Sequence, residues 1–251
     1  MTARIAVALV SGSVALIGCT GLYEIPVETP IQAKIDVSNF QRVLVAGFVG
    51  GGSKTVDTNT ETARLLRSQL RSKQNLRVID SDALSLTEEV DKRLGRLPAA
   101  VKPGDEPEIK DEKDLETYES IFADAAFWKG IGDQYQGPLI VTGSIVFNEV
   151  SRSGVVSQPV SRIDADGREQ YQTVRTFSDM KGFAISPKFI FIDGRTGAQL
   201  HTETYHEESL YPTTQNTPAL SSYFELMDKL LPSFLNTLSS QRIRGSRVLL
   251  K

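Results

Sequence analysis

Apolar positions in this chain gather into nearly continuous runs rather than strict alternation. Arg42-Val-Leu-Val-Ala-Gly-Phe48 and Leu139-Ile-Val-Thr-Gly-Ser-Ile-Val-Phe147 are the clearest. Such runs suit strands covered on both faces. Between them the period changes. Ala63, Leu66 and Leu70 fall on one face of a helix predicted over 60–72, with Arg64, Arg67 and Arg71 largely off it. Leu76–Ile79 reads as the next strand, which makes a β-α-β unit with a crossover helix. A second helix is predicted over 116–136, with Ile121, Ala125, Trp128 and Ile131 inward and Gly137-Pro138 ending it. Residues 151–170 read as a polar loop with a turn at Asp166-Gly167. Tyr171–Phe177 and Phe183–Ile192 read as strands. Asp193-Gly-Arg-Thr-Gly197 is a hairpin turn from which 198–205 returns. Pro218–Ser239 is a third helix, kinked at Pro232. The fold class expected is α/β: a single domain with a mixed sheet, packed by about three helices. A parallel β-α-β core is followed by a late antiparallel hairpin.

The first nineteen residues have another character. A positive start, Met1–Arg4, precedes an uncharged apolar run, Ile5–Ile17. That run is too short to span a bilayer, which takes roughly 20 residues, and has the form of a secretory signal. Leu16-Ile17-Gly18-Cys19 resembles the bacterial lipobox. The resemblance implies cleavage after Gly18 and a thioether-linked diacylglycerol on Cys19. Domain organisation follows: signal peptide 1–18, lipidated Cys and tether 19–39, and an α/β domain 40–251 with an acidic insert near 98–119. Thr20, where an Asp would favour inner-membrane retention, points to the periplasmic face of the outer membrane. The acidic insert reads as a solvated, mobile segment.

Composition narrows the function. The chain has 251 residues, 40% hydrophobic and 24% charged, with a net charge of −3. That balance argues against general nucleic-acid binding. One Cys and two His leave little for a Cys/His metal site. Gly47–Thr55 follows a buried strand, but Ser53 intervenes between Gly52 and Lys54, so the P-loop spacing fails. It reads as a connecting loop. His201 and His206, five apart on one predicted strand, would face opposite ways. Asp164 and Asp166 beside Gly167 lack the spacing of a calcium loop. No Gly-x-Ser-x-Gly elbow is present. The expectation is therefore a non-enzyme with no metal and no cofactor beyond the lipid on Cys19.

Three pieces taken in order resemble a group of envelope proteins. They are Val43–Phe48 with the helix Thr62-Ala-Arg-Leu-Leu66 and Leu76–Asp80, then Trp128–Tyr135 leading into Leu139–Ile145, then Phe189–Asp193 with Arg195-Thr-Gly197. The domain is similar to that of the curli secretion-channel lipoprotein, the lipoprotein activators of penicillin-binding proteins and the TolB amino-terminal domain. The resemblance implies structural roles for Asp193, Thr196 and Gly197 in the turn, and no catalytic set. It implies a module supporting envelope assembly or secretion through envelope protein partners. The alternative it implies is a homo-oligomeric, curli-type outer-membrane channel. The channel form needs membrane strands of about 10 residues, and Pro159, Asp164, Asp166 and Arg168 are expected to break any such strand.

Overall fold

The computed structural model describes residues 22–73, 76–95, 109–110, 113–163 and 166–250. The lipobox residues Leu16, Ile17 and Gly18, the modified Cys19, and Asp164 lie outside the described residues. Two units fold from the chain: residues 33–239, and a smaller unit pairing the segment before residue 33 with the one after residue 239.

The smaller unit is a two-stranded antiparallel ribbon. β1 (Leu22–Ile31) pairs with β8 (Gln241–Leu250) from Leu22↔Leu250 to Ile31↔Gln241. The sequence reading placed a tether and a short apolar end in these stretches.

The larger unit is a sheet covered by helices on both faces. Its elements are β2 (Arg42–Gly52), α1 (Thr58–Lys73), β3 (Arg77–Val78), α2 (Leu86–Arg93), α3 (Ala125–Gln134), β4 (Leu139–Ile163), β5 (Glu169–Asp193), β6 (Gln199–Thr204), β7 (Glu207–Pro212) and α4 (Ala219–Leu238). The strand order is β3-β2-β4-β5-β6, with β7 also on β5. β3, β2 and β4 run parallel, and β5, β6 and β7 add antiparallel neighbours. The expected mixed α/β class is therefore what the chain forms, with four α-helices among the described residues.

The continuous apolar runs explain the layering. From β2, Val43, Val45 and Phe48 face Leu66 and Leu70 of α1 and Tyr223, Leu226 and Phe234 of α4. Leu44, Ala46 and Val49 face Leu86, Val90, Tyr118, Ile121 and Trp128 on the other side. The change of parity after Val45 comes from a bulge between Val45 and Gly47. Gly47 sits there at φ 143°, and a Cβ would lie 2.5 Å from the Leu84 carbonyl oxygen.

Four expectations are corrected. The glycines at 50–52 form no loop, because long β4 offers a partner strand: Gly50, Gly51 and Gly52 pair with Ile145, Val146 and Phe147. The helix expected over 116–136 starts only at Ala125. Asp124 caps it by accepting from the Phe127 N–H at 3.0 Å, and two short 3-10 turns precede it. Of the acidic insert, residues 98–108 and 111–112 lie outside the described residues; in the rest Ile109, Leu115 and Tyr118 are buried, so those parts pack instead of floating in solvent. The largest correction concerns residues 151–170. No polar loop lies there: β4 and β5 form one hairpin, each strand 25 residues long, paired from Leu139↔Asp193 to Ile163↔Glu169. The expected strands Leu139–Phe147, Tyr171–Phe177 and Phe183–Ile192 are parts of this hairpin, and the expected turn lies at its tip, where Gly167 takes φ 75°.

Candidate functional site

The hairpin dominates the surface of the larger unit. A 25-residue strand measures about 80 Å. Its inner half lies in the sheet. β2 stops at the pair Gly52↔Phe147, and β7 at Met180↔Pro212. Beyond the pair Arg152↔Met180, residues 153–163 and 169–179 form ladder pairs only with each other among the described residues, and the Asp179 carbonyl oxygen still accepts from the Thr213 N–H at 3.1 Å. Roughly 35 Å of two-stranded ribbon, the 11 pairs from Ser153↔Asp179 to Ile163↔Glu169, projects from the sheet. Two-stranded hairpins are marginal alone in water, and unpaired strand edges are templates for another chain.

The projecting part carries large apolar side chains in the open. Phe177 is 68% exposed and sits directly opposite Val155 at 66%; Tyr171 is 74% exposed, opposite Ser161. Val160, Ile163 and Val174 are exposed as well. Charge is distributed unevenly. Residues 154–161 have none, and 170–178 have Arg175 alone. Arg152, Asp179 and Lys181 stand at the base, and Arg162, Asp166, Arg168 and Glu169 toward the tip. Arg152 reaches Glu208 of β7 at 2.6 Å, tying the base of the hairpin to the sheet.

The turn after β5 is built as a clamp. The Asp193 carbonyl oxygen accepts from the Gly197 N–H at 2.7 Å, and the Asp193 carboxylate takes both Nε and Nη2 of Arg195 at 3.0 and 2.9 Å. Those bonds from Arg195 hold the Asp193 carboxyl below the usual carboxylate range. Arg195 also lies over the Phe40 ring at 4.7 Å. Thr196 Oγ1 accepts from the Ala198 N–H at 3.2 Å. Gly197 takes φ 76°, and a Cβ there would meet the Ala125 carbonyl oxygen at 1.9 Å. The geometry of Asp193, Thr196 and Gly197 is thus that of a turn locked to the start of α3.

Other candidate chemistry is dispersed. The glycine-bearing end of β2 borders a cavity of about 430 Å³ with Thr58, Asn59, Ser85 and Glu88. Its glycines serve packing. A Cβ on Gly50 would strike Thr58 Oγ1, one on Gly51 the Ile109 side chain, and one on Gly52 the Phe147 carbonyl oxygen. Arg67 is half-buried and donates to the Val45 carbonyl oxygen at 2.8 Å, continuing the β2 ladder where β3 has ended. Burial pulls its guanidinium below the usual arginine value. His201 lies on β6, its Nε2 2.6 Å from Glu203 Oε1. Burial pushes Glu203 up, and its bonds to Lys34 and His201 outweigh that, leaving it below the usual range. His206 falls outside both strands, against Ser186 Oγ at 2.8 Å. The strand expected to carry both histidines divides at Pro187, which accepts from the Tyr205 N–H but has no N–H to return. Among the described residues no three His, Cys, Asp or Glu side chains gather as metal ligands.

Of the hairpin residues, Val174 and Phe177 fall in the expected strand Tyr171–Phe177, whereas Val155 and Val160 fall in the expected loop. Their signal was the Val- and Thr-rich stretch on each side of Asp166-Gly167.

No protein-family model matches the chain, and no curated protein matches it. Among solved structures, the chain is similar to lipoprotein GNA1162 from Neisseria meningitidis. Identity is 11%, with 78% of this chain and 98% of that one covered, at a TM-score of 0.34. The likeness is too distant to carry a functional argument.

Proposed function

We propose that this chain is a non-enzymatic envelope lipoprotein, anchored through Cys19, that acts by protein contacts through the β4/β5 hairpin. The supporting observation is the ribbon itself. Among the described residues its strands have no ladder partner beyond the sheet except each other, and Val155, Tyr171 and Phe177 stand exposed on it. Exposed apolar groups of this kind mark interaction sites. Among the described residues no helix is long and apolar enough to cross a membrane. The attachment proposed is the lipid on Cys19, at the periplasmic face of the outer membrane, and the role is support of envelope assembly or secretion. The experiment replaces Val155–Phe177, which are paired in register, by a two-residue Asn-Gly turn. The trimmed protein is expected to keep its fold and membrane fractionation and to lose its envelope partner. Retention of the partner would refute the assignment to the hairpin.

A second reading is favoured by the charge distribution. An uncharged 154–161 beside 170–178, with charges at both ends, approaches the 9–11 residues a membrane strand needs. The strands run unbroken through Pro159. In this reading several copies pair edge to edge as subunits of an outer-membrane secretion channel, and Arg175 lies on the same strand face as Tyr171 and Phe177. Ring-sized particles in detergent and conductance in planar bilayers would establish it; monomers without conductance would exclude it.

A further inference from the structure

The β1/β8 ribbon has a polarity along its length. Near its Leu22/Leu250 end the strands read Leu22-Tyr-Glu-Ile25 and Arg247-Val-Leu-Leu250. At the other end Glu28 holds Arg244 at 2.9 Å and Arg242 at 3.6 Å. The Leu22/Leu250 end is the richer in apolar residues, with Glu24 and Arg247 among them, and the ion pairs lie at the other end, beside Val27, Ile31 and Ile243. Val248, opposite Glu24, is 59% exposed.

Covalent geometry fixes which end meets the bilayer. Only Thr20 and Gly21 separate Cys19 from Leu22, so their Cα atoms lie at most about 11 Å apart. Leu250 pairs with Leu22, which adds about 5 Å. The headgroup layer of one leaflet is itself roughly 5–7 Å deep. A lipid on Cys19 thus holds this end of the ribbon in or just above that layer. The ion-paired end, at Thr29, is about 23 Å further along the strand.

We propose that the Leu22/Leu250 end of the ribbon is a second membrane contact, seated among lipid headgroups with Val248 at the surface and Arg247 beside the phosphates. The proposal rests on lipidation of Cys19. It makes residues far apart in sequence, 22 and 250, jointly part of the anchor. The lipid supplies retention; the ribbon end supplies a fixed direction of departure from the membrane.

The test uses the full-length lipidated protein. Lipidation consumes the sole native thiol, so Val248→Cys and, separately, Thr29→Cys each carry one reactive site for an environment-sensitive fluorophore. Ser246→Cys, exposed and two residues from Val248, serves if Val248→Cys disturbs the pairing. Each protein is placed in phosphatidylethanolamine–phosphatidylglycerol vesicles containing headgroup-level spin-labelled lipid. The expected result is a blue-shifted, quenched signal at 248 or 246 and an unquenched one at 29. Silence at both 248 and 246, or equal quenching at 29, overturns the contact. Intact mass and vesicle flotation separate the two claims. Acylated, floating protein with no quenching at 248 or 246 overturns the contact and leaves the anchor standing. Protein that is unacylated and does not float overturns the anchor, and the contact with it.

Discussion

Asp193 shows how much one side chain can fix. Its carboxylate answers the Arg195 guanidinium through two bonds, and its backbone closes the turn. Removing that charge by Asp193→Asn is expected to cost about 1–2 kcal/mol, read as a lower denaturant midpoint. The sign with pH follows. Asp193 and Asp124 both sit below their ordinary values, Asp193 through Arg195 and Asp124 chiefly through the Phe127 N–H. Their contribution is complete above the unfolded carboxylate pKa of about 4 and disappears as pH falls through the depressed values. Thermal midpoints should fall on acidification below that point, and less steeply in Asp193→Asn. Gly197→Ala meets both the positive φ and the Ala125 carbonyl, so a loss of more than about 2 kcal/mol is expected in urea titrations. Trp128 is fully buried and donates to the Ile121 carbonyl oxygen at 2.8 Å. Trp128→Ala should cost about 3–5 kcal/mol. These residues were visible in the sequence because their types are diagnostic: an Asp-Gly turn, a lone Trp on a helical face. Arg67 was not, since nothing local shows that β3 ends before Val45 needs a partner.

At the scale of elements, legibility followed burial. The cores of β2 and β4 and the whole of α4 could be read because a two-sided core writes continuous apolar runs. Of the outer hairpin only Tyr171–Phe177 read as a strand; 151–163 did not, because neither face there meets a core, and so no period-2 pattern is imposed. Pro159 reinforced the wrong reading, although a strand with a free edge accommodates it. The glycines at 50–52 misled for the opposite reason. They signal a loop in isolation, but here they permit close approach of Thr58, Ile109 and Phe147 within a strand. Gly51→Val tests this. The branched side chain must displace Ile109, and a destabilisation of about 1–3 kcal/mol is expected in chemical denaturation. Full stability in that variant would return the segment to a loop. Trimming the hairpin at Val155 and Phe177 should leave the thermal midpoint nearly unchanged, since the part removed is exposed and, among the described residues, pairs with no other strand.

At the scale of the molecule, two units hang on one chain, and each presents a ribbon. The β1/β8 ribbon begins three residues past Cys19, and the β4/β5 ribbon projects from a sheet sealed on both faces. The division of labour proposed is anchoring by the first and contact by the second. Nothing in the central sheet then needs to do chemistry; its rigid core serves to hold the hairpin base, where Arg152 meets Glu208. The most direct test puts a photoactivatable side chain in place of Phe177, and in a second strain in place of the exposed Ser68 on α1, with crosslinking in living cells. The account predicts a discrete adduct from position 177, to an envelope protein or to a second copy of this chain, and none from position 68. A hairpin that gives no adduct at 177 while the protein remains in the membrane fraction would contradict it.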